Sequence, residues 1–421
     1  CSIGSVMHEN LLFGSTFLQM MNAPDYELDK VKKEGMKSLI MHEVGHTLGL
    51  NHNMKASQLY SPEELYDANF IKGKALTGSV MDYAGLNINP NREEQGQYAD
   101  MSLGPYDIWA IQFGYQPFEN DEERDKLLER STEKELIFGN DADDMRSPGK
   151  AIDPRVMTGD LSSDQITYSI DRIELVNTLK NKIKSQFSIE GEYYDDLRRS
   201  YYLLNSQAAR AGDILSRFVG GVYVERATFG QTNAKQPYTP VALRDQKRAF
   251  KAIEHYIFSP TAFETPKEVY NYLAQRRRGF DFFSKTEDPK IHDIVLGYQS
   301  RVLAHLLHPY TLQRIVDSEL YGNQYPLDQF MTDLNKAICA ADSKGEVNSF
   351  RQNLQLTYVK RLIDMVTGST ASRFNTLSQS LTLYNLKEIQ EWVKKPKGSK
   401  GSVAHKIHLN TLIENALKEI K

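Results

Sequence analysis

The run HEVGHTLGLNH, residues 42–52, places three of the chain's ten histidines within eleven positions, with a glutamate directly behind the first. If residues 31–50 form a helix, as the apolar positions Met36, Leu39, Ile40, Val44 and Leu48 predict, His42 and His46 stand at i and i+4 on one face. Two imidazoles at that spacing can grip one metal ion. Glu43, one residue on, lies off the line of the two ligands and within reach of a water at the metal, the position of a general base. Gly49 is the next marker: glycine tolerates the left-handed backbone that ends a helix and turns the chain, bringing His52 back as a third ligand. Three imidazoles leave one tetrahedral position open, which is the arrangement of a catalytic zinc site and not of a structural one.

Two further stretches bear on this chemistry. GSVMDYAG, residues 78–85, resembles the Met-turn that follows the extended zinc motif of metzincin peptidases. By that resemblance Met81 is an apolar floor beneath the imidazoles and not a ligand, and Tyr83 is a residue near the metal that ligates it or hydrogen-bonds the oxyanion. MSLGPYDIWAIQFGY, residues 101–115, marks a short helix with Pro105 in its first turn. It resembles the helix that closes the catalytic domain of matrixin-like and serralysin-like enzymes. Asp107 there either buttresses the Met-turn or serves as an ordinary first-turn carboxylate favoured by the helix dipole.

Together these matches resemble the bacterial Met-zincin family of large zinc-dependent metalloproteases. Softer likeness extends through DPRVMTGDLSSDQ (153–165), GGVYVERATFGQ and PYTPVALRDQKRA (within 220–249). The resemblance implies one zinc ion, a protein or peptide substrate, and a secreted or periplasmic endopeptidase. A zinc amidase acting on cell-wall peptides would use the same ligands. A binding protein with a vestigial zinc site is a third reading, against which the intact Glu43 argues.

The elements that must position these residues are mostly helical. The chain has 421 residues, 40% hydrophobic and 25% charged, with a formal net charge of −4. These are the proportions of a soluble globular protein long enough for two or three domains, and they select no nucleic acid. The basic run Arg276, Arg277, Arg278 reads as a solvated helix end. Two cysteines, Cys1 and Cys339, define no disulfide framework. No apolar run reaches membrane-spanning length.

The expected fold is mainly α. Residues 1–118 read as a metzincin-like catalytic domain lacking its N-terminal sheet. Strand-like alternation is scarce before His42, so an upstream part of the same polypeptide is expected to complete that domain. Residues 119–164 read as a charged helix and an acidic connecting loop, in which Asp141, Asp143 and Asp144 either gather a calcium ion with loop carbonyls or, lacking the spacing and terminal glutamate of an EF-hand, serve as solvated turn and cap carboxylates. Residues 165–421 form a helical domain, with helices at about 165–187, 193–217, 243–257, 290–307, 309–321, 327–339 and 346–366. One strand or hairpin is expected at VGGVYVERATF, and a linker at 394–402 precedes a last amphipathic helix. His255, His292, His305, His308, His405 and His408 are dispersed and read as structural or surface residues.

Overall fold

The computed structural model describes residues 3–143, 147–274 and 286–420. Cys1, Asp144 and the run Arg276 to Arg278 lie outside the described residues. The architecture is mainly α, with one two-stranded sheet among the described residues.

Helices α1 (Ile3–Met20) and α2 (Asp25–Thr47) open the chain and pack on each other. α2 starts six residues earlier than the apolar pattern predicts. Pro24 is extended, and Asp25 and Glu27 occupy the first turn, where carboxylates suit the helix dipole. The chain then runs through short turns to α3 (Pro105–Tyr115). Little regular structure lies between α2 and α3, and side chains hold this stretch in its place. Glu34 of α2 accepts from the Tyr98 and Ala99 amides, Asp100 from those of Leu76 and Thr77, and Asn87 donates to Leu65 and Gln97 carbonyls.

The remainder is a helical assembly centred on α5 (Asp195–Phe218), which packs against α4 (Gln165–Lys180), α1, and two later helices. Between α5 and those helices lies the hairpin: β1 (Val222–Val224) pairs antiparallel with β2 (Tyr238–Pro240), Tyr223 opposite Thr239. Then follow α6 (Leu243–Ile253), α7 (Ile291–Leu306), α8 (Pro309–Glu319), α9 (Leu327–Asn335), α10 (Ser349–Val366), α11 (Thr376–Val393) and α12 (Lys400–Glu419). α6 and α7 pack on α5, and α10 packs on α7, α11 and α12. At Gly212 of α5 an added Cβ would meet Ile257 at 2.7 Å, so glycine lets that neighbour approach closely. One apolar core runs continuously from Phe13 on α1 to Ile413 on α12. Each fully buried Leu, Ile or Phe in it contributes roughly 1.5–3 kcal/mol of burial free energy.

Two departures from the sequence pattern have local causes. The helix expected over 165–187 is two, because α4 ends at Lys180 and a separate turn begins at Ile183. α11 carries no clear apolar stripe in the sequence because its inward face includes Ser378, Thr382 and Asn385. Asn385 donates to the Met331 carbonyl, so a satisfied polar group stands where an apolar one would announce the helix. No helix among the described residues is long and apolar enough to cross a membrane.

Candidate metal centre

His42 and His46 project from the last two turns of α2, which ends at Thr47. Gly49 follows with φ +87°, the left-handed conformation that costs glycine least. The chain turns back there and sets His52 against the other two. One ligand nitrogen from each of His42, His46 and His52 lies within 4.8 Å of the others, the one such His, Cys or carboxylate cluster among the described residues.

The hydrogen bonds on the far side of each ring decide what that cluster can do. His42 Nδ1 faces the Val80 carbonyl at 2.8 Å, and His46 Nδ1 faces the Leu50 carbonyl at 3.0 Å. His52 Nδ1 meets an oxygen of Asp141. A carbonyl or carboxylate only accepts, so each neutral ring carries its proton on Nδ1 and turns an Nε2 lone pair inward. The Nε2 atoms of His46 and His52 stand 3.1 Å apart, and His42 Nε2 is buried with no hydrogen-bond partner among the described residues. Lone pairs so close repel one another unless a cation lies between them. Two imidazoles on a tetrahedral zinc with bonds of about 2.0–2.1 Å would have nitrogens about 3.3 Å apart. The donor set therefore fits zinc. Burial, reinforced by the neighbouring imidazoles, lowers His42 to about 4, so it is neutral and able to ligate at ordinary pH.

The turn 78–83 lies under this cluster. Met81 is fully buried, and its sulfur sits against Gly45, between the two helix histidines. The Met81 carbonyl accepts from the amide of Asn53, the residue after His52. Asp107, in the first turn of α3, plays both roles the sequence left open. It accepts from the Gly104 amide at its own helix start, and also from Ser79 Oγ and the Val80 amide. Asp107 thus holds the N–H side of Val80, the residue whose carbonyl faces His42, and through Ser79 Oγ, which accepts from the Met81 amide, it also supports the peptide bearing that carbonyl. Tyr83 is buried, and its hydroxyl is 3.0 Å from His52 Nε2, on the side of the ring that faces the cluster.

Glu43 is exposed and has no hydrogen-bond partner among the described residues. Four of the five apolar positions that predict α2 are exposed with it, Met36 (48%), Ile40 (58%), Val44 (49%) and Leu48 (42%), while Leu39 is half-buried against the core. The helix buries the opposite face, through Val31, Glu34, Gly35, His42 and Gly45. Leu103, just before α3, and Ile108, Phe113 and Tyr115 on it are further exposed apolar groups, and the Tyr115 hydroxyl donates to the Leu48 carbonyl.

Among the described residues, Asp141 and Asp143 of the acidic loop do not gather around a common point. Asp141 turns to His52, and Asp143 accepts from Arg226 and from the Asn140 amide. Asp141 is the residue at this site that the sequence reading assigned elsewhere, and nothing in its local sequence distinguishes it from its neighbours. Gly45 also went unremarked, although a glycine inside a helix is a recognisable sign of close approach. Of the dispersed histidines, His305 is buried against Arg217 and the Gly149 amide, and His405 against Gln355. Cys339 is a buried free thiol. A cavity of about 750 Å³ between α3 and the hairpin is walled by Tyr106, Trp109, Phe138 and Lys134, and by none of the three histidines.

Among known proteins, a family model described as Met-zincin matches residues 25–346. No curated protein and no solved structure matches the chain.

Proposed function

The chain belongs to the Met-zincin family, and from that membership we propose that it is a zinc-dependent endopeptidase whose ligands are His42, His46 and His52. The observation that carries the reading is the hydrogen-bonding of the three rings. Every Nδ1 is held by an acceptor, every Nε2 turns inward, and a glutamate stands exposed beside them. Held by His42, His46 and His52, zinc would supply a Lewis acid that polarises a scissile carbonyl and lowers the pKa of a water. Glu43 takes the proton from that water and delivers it to the departing amine, so one carboxylate serves as base and then as acid. The Tyr83 hydroxyl, already directed at the cluster, donates a hydrogen bond to the carbonyl oxygen as it gains charge. Gly49 and Met81 act by shape, one turning the chain and the other flooring the rings.

The exposed apolar stripe along α2 supports a second part of the reading. An uncovered row of four large apolar side chains beside the general base suits a covering layer, and we assign that layer to a preceding part of the same polypeptide. The described residues before His42 are two helices and contain no strand. We propose that the same layer supplies the edge strand on which an extended peptide would pair its backbone, and on that proposal residues 3–420 alone are expected to bind zinc but cleave peptides slowly. A secreted or periplasmic setting is part of the same proposal.

Zinc analysis of the purified protein, combined with digestion of a peptide library by a longer polypeptide that includes the preceding segment, tests the reading. One zinc per chain is expected. Glu43→Ala should retain it and abolish hydrolysis, and Tyr83→Phe should retain it and cost on the order of 2–4 kcal/mol of transition-state stabilisation. Loss of zinc in Glu43→Ala would make Glu43 a ligand and refute its role as base.

A further inference from the structure

The three imidazoles are not held alike. His42 and His46 are oriented by backbone carbonyls, those of Val80 and Leu50, while His52 is oriented by a side chain, the carboxylate of Asp141, 89 residues further along. Both kinds of acceptor select the tautomer with the proton on Nδ1. Only the carboxylate also brings a negative charge, which makes the opposite nitrogen a stronger donor toward a cation and balances the charge that a bound cation brings. His52 is also the histidine that stands outside the helix, on the turn that follows Gly49.

The segment bearing Asp141 is fixed at both ends. On one side the buried side chain of Asn53, next to His52, donates to the Ile137 carbonyl at 3.0 Å and accepts from the Gly139 amide at 3.2 Å. The Met54 amide donates to the Gly139 carbonyl at 2.7 Å. An added Cβ at Gly139 would meet Val156 at 2.7 Å, so this strip of chain lies close against its neighbours. On the other side Asp143 pairs with Arg226 of the segment after β1. Asn53, the residue following the third histidine, thus holds the loop by its backbone, and the loop returns a carboxylate to that histidine.

We infer that Asp141 is a positioning residue of the metal centre: it holds His52 with its Nε2 lone pair directed at the metal, so that the acidic loop is part of the site and not a tether beside it. This inference rests on the zinc reading of the histidine cluster. Its role is distinct from ligation, because the carboxylate engages the ring on the nitrogen turned away from the cluster.

The test uses the whole chain, stripped of metal and titrated with zinc against a chromophoric chelator, for the wild type, Asp141→Ala, Asp141→Asn and His52→Ala. Cobalt absorption spectra and the unfolding midpoint of each metal-free protein are recorded beside the titration. Asp141→Ala is expected to weaken zinc roughly 10- to 100-fold, to change the cobalt spectrum, and to leave the metal-free midpoint close to wild type. Asp141→Asn keeps an acceptor for Nδ1 without the charge, and should fall between the two. Wild-type protein that binds no zinc would overturn the zinc reading itself. Stoichiometric wild-type zinc with equal affinity in Asp141→Ala would leave that reading standing and overturn the role of Asp141. If Asp141→Ala and Asp141→Asn both lose zinc as completely as His52→Ala, the carboxylate is a ligand and the positioning role is wrong.

Discussion

Gly45→Ala sets two known effects against each other at one position. Gly45 lies in α2 between His42 and His46, and glycine in a helix interior costs about 0.5–1 kcal/mol relative to alanine. On helix propensity alone the substitution stabilises the protein by that amount. The new Cβ, however, would run into the Met81 sulfur and also lie 3.5 Å from its terminal methyl and 3.7 Å from Leu50. Met81 is fully buried and so cannot swing into solvent, and its backbone is held by the Asn53 amide. Overpacking at such a place costs about 1–3 kcal/mol. The overlap therefore wins, and a net destabilisation of about 1–2 kcal/mol is expected, read from the urea midpoint of metal-free protein at constant slope. Displacement of the turn also disturbs the Val80 carbonyl that orients His42, so zinc affinity should fall on the order of tenfold when that orientation is loosened. In a Met81→Ala background the added methyl enters vacated space, and Gly45→Ala should become neutral or stabilising, giving a coupling of at least about 1 kcal/mol between the two sites. Stabilisation by Gly45→Ala in the otherwise wild-type protein, or strict additivity with Met81→Ala, would refute the claim that methionine and glycine are fitted to each other.

Asp107→Ala removes the acceptor for Ser79 Oγ and the Val80 and Gly104 amides. Leaving buried donors unsatisfied costs about 1–3 kcal/mol each, so calorimetry should show a large fall in thermal stability and chelator competition a weaker hold on zinc; unaltered zinc affinity would exclude Asp107 as a support of the His42 acceptor. Asp100 supplies a pH dependence of its own. Burial pushes its carboxyl up to about 6, well above the ordinary aspartate value, against three donors that favour the anion. Thr77 has one hydroxyl proton for both the Ser79 carbonyl and Asp100, so a proton on Asp100 completes the chain. The folded state then holds more protons than the unfolded state between about pH 4 and 6. This group's contribution to stability thus falls as pH rises through that window and is level above it. Asp100→Asn, which mimics the protonated form, should be more stable than wild type at pH 7 by on the order of 3 kcal/mol at most and lose that advantage toward pH 4. Denaturant melts of the metal-free proteins across pH decide it, and a pH-independent difference would refute the shift.

What was legible from the sequence was local. The i, i+4 spacing of His42 and His46, the glycine that permits a turn before His52, and the mainly helical character all follow from a few neighbouring residues, whose backbone geometry is set by short-range sterics. The Met-turn could be read as a motif for the same reason. The apolar positions of α2 announced a helix, but periodicity cannot say which face is covered: the stripe through Ile40 and Val44 is exposed, while the face with Glu34, His42 and Gly45 is inside. α11 was hidden by the converse: its buried face carries Ser378, Thr382 and Asn385, of which Thr382 donates one turn back to the Ser378 carbonyl and Asn385 to the distant Met331 carbonyl. The orientation of the imidazoles belongs wholly to the tertiary structure. Val80 lies 38 residues from His42 and Asp141 89 from His52, and a carbonyl or carboxylate leaves no trace in composition of which ring it will face. Only the fold brings Asn53 against residues 137–139, and with them Asp141 against His52, because a hydrogen bond depends on separation in space and not along the chain.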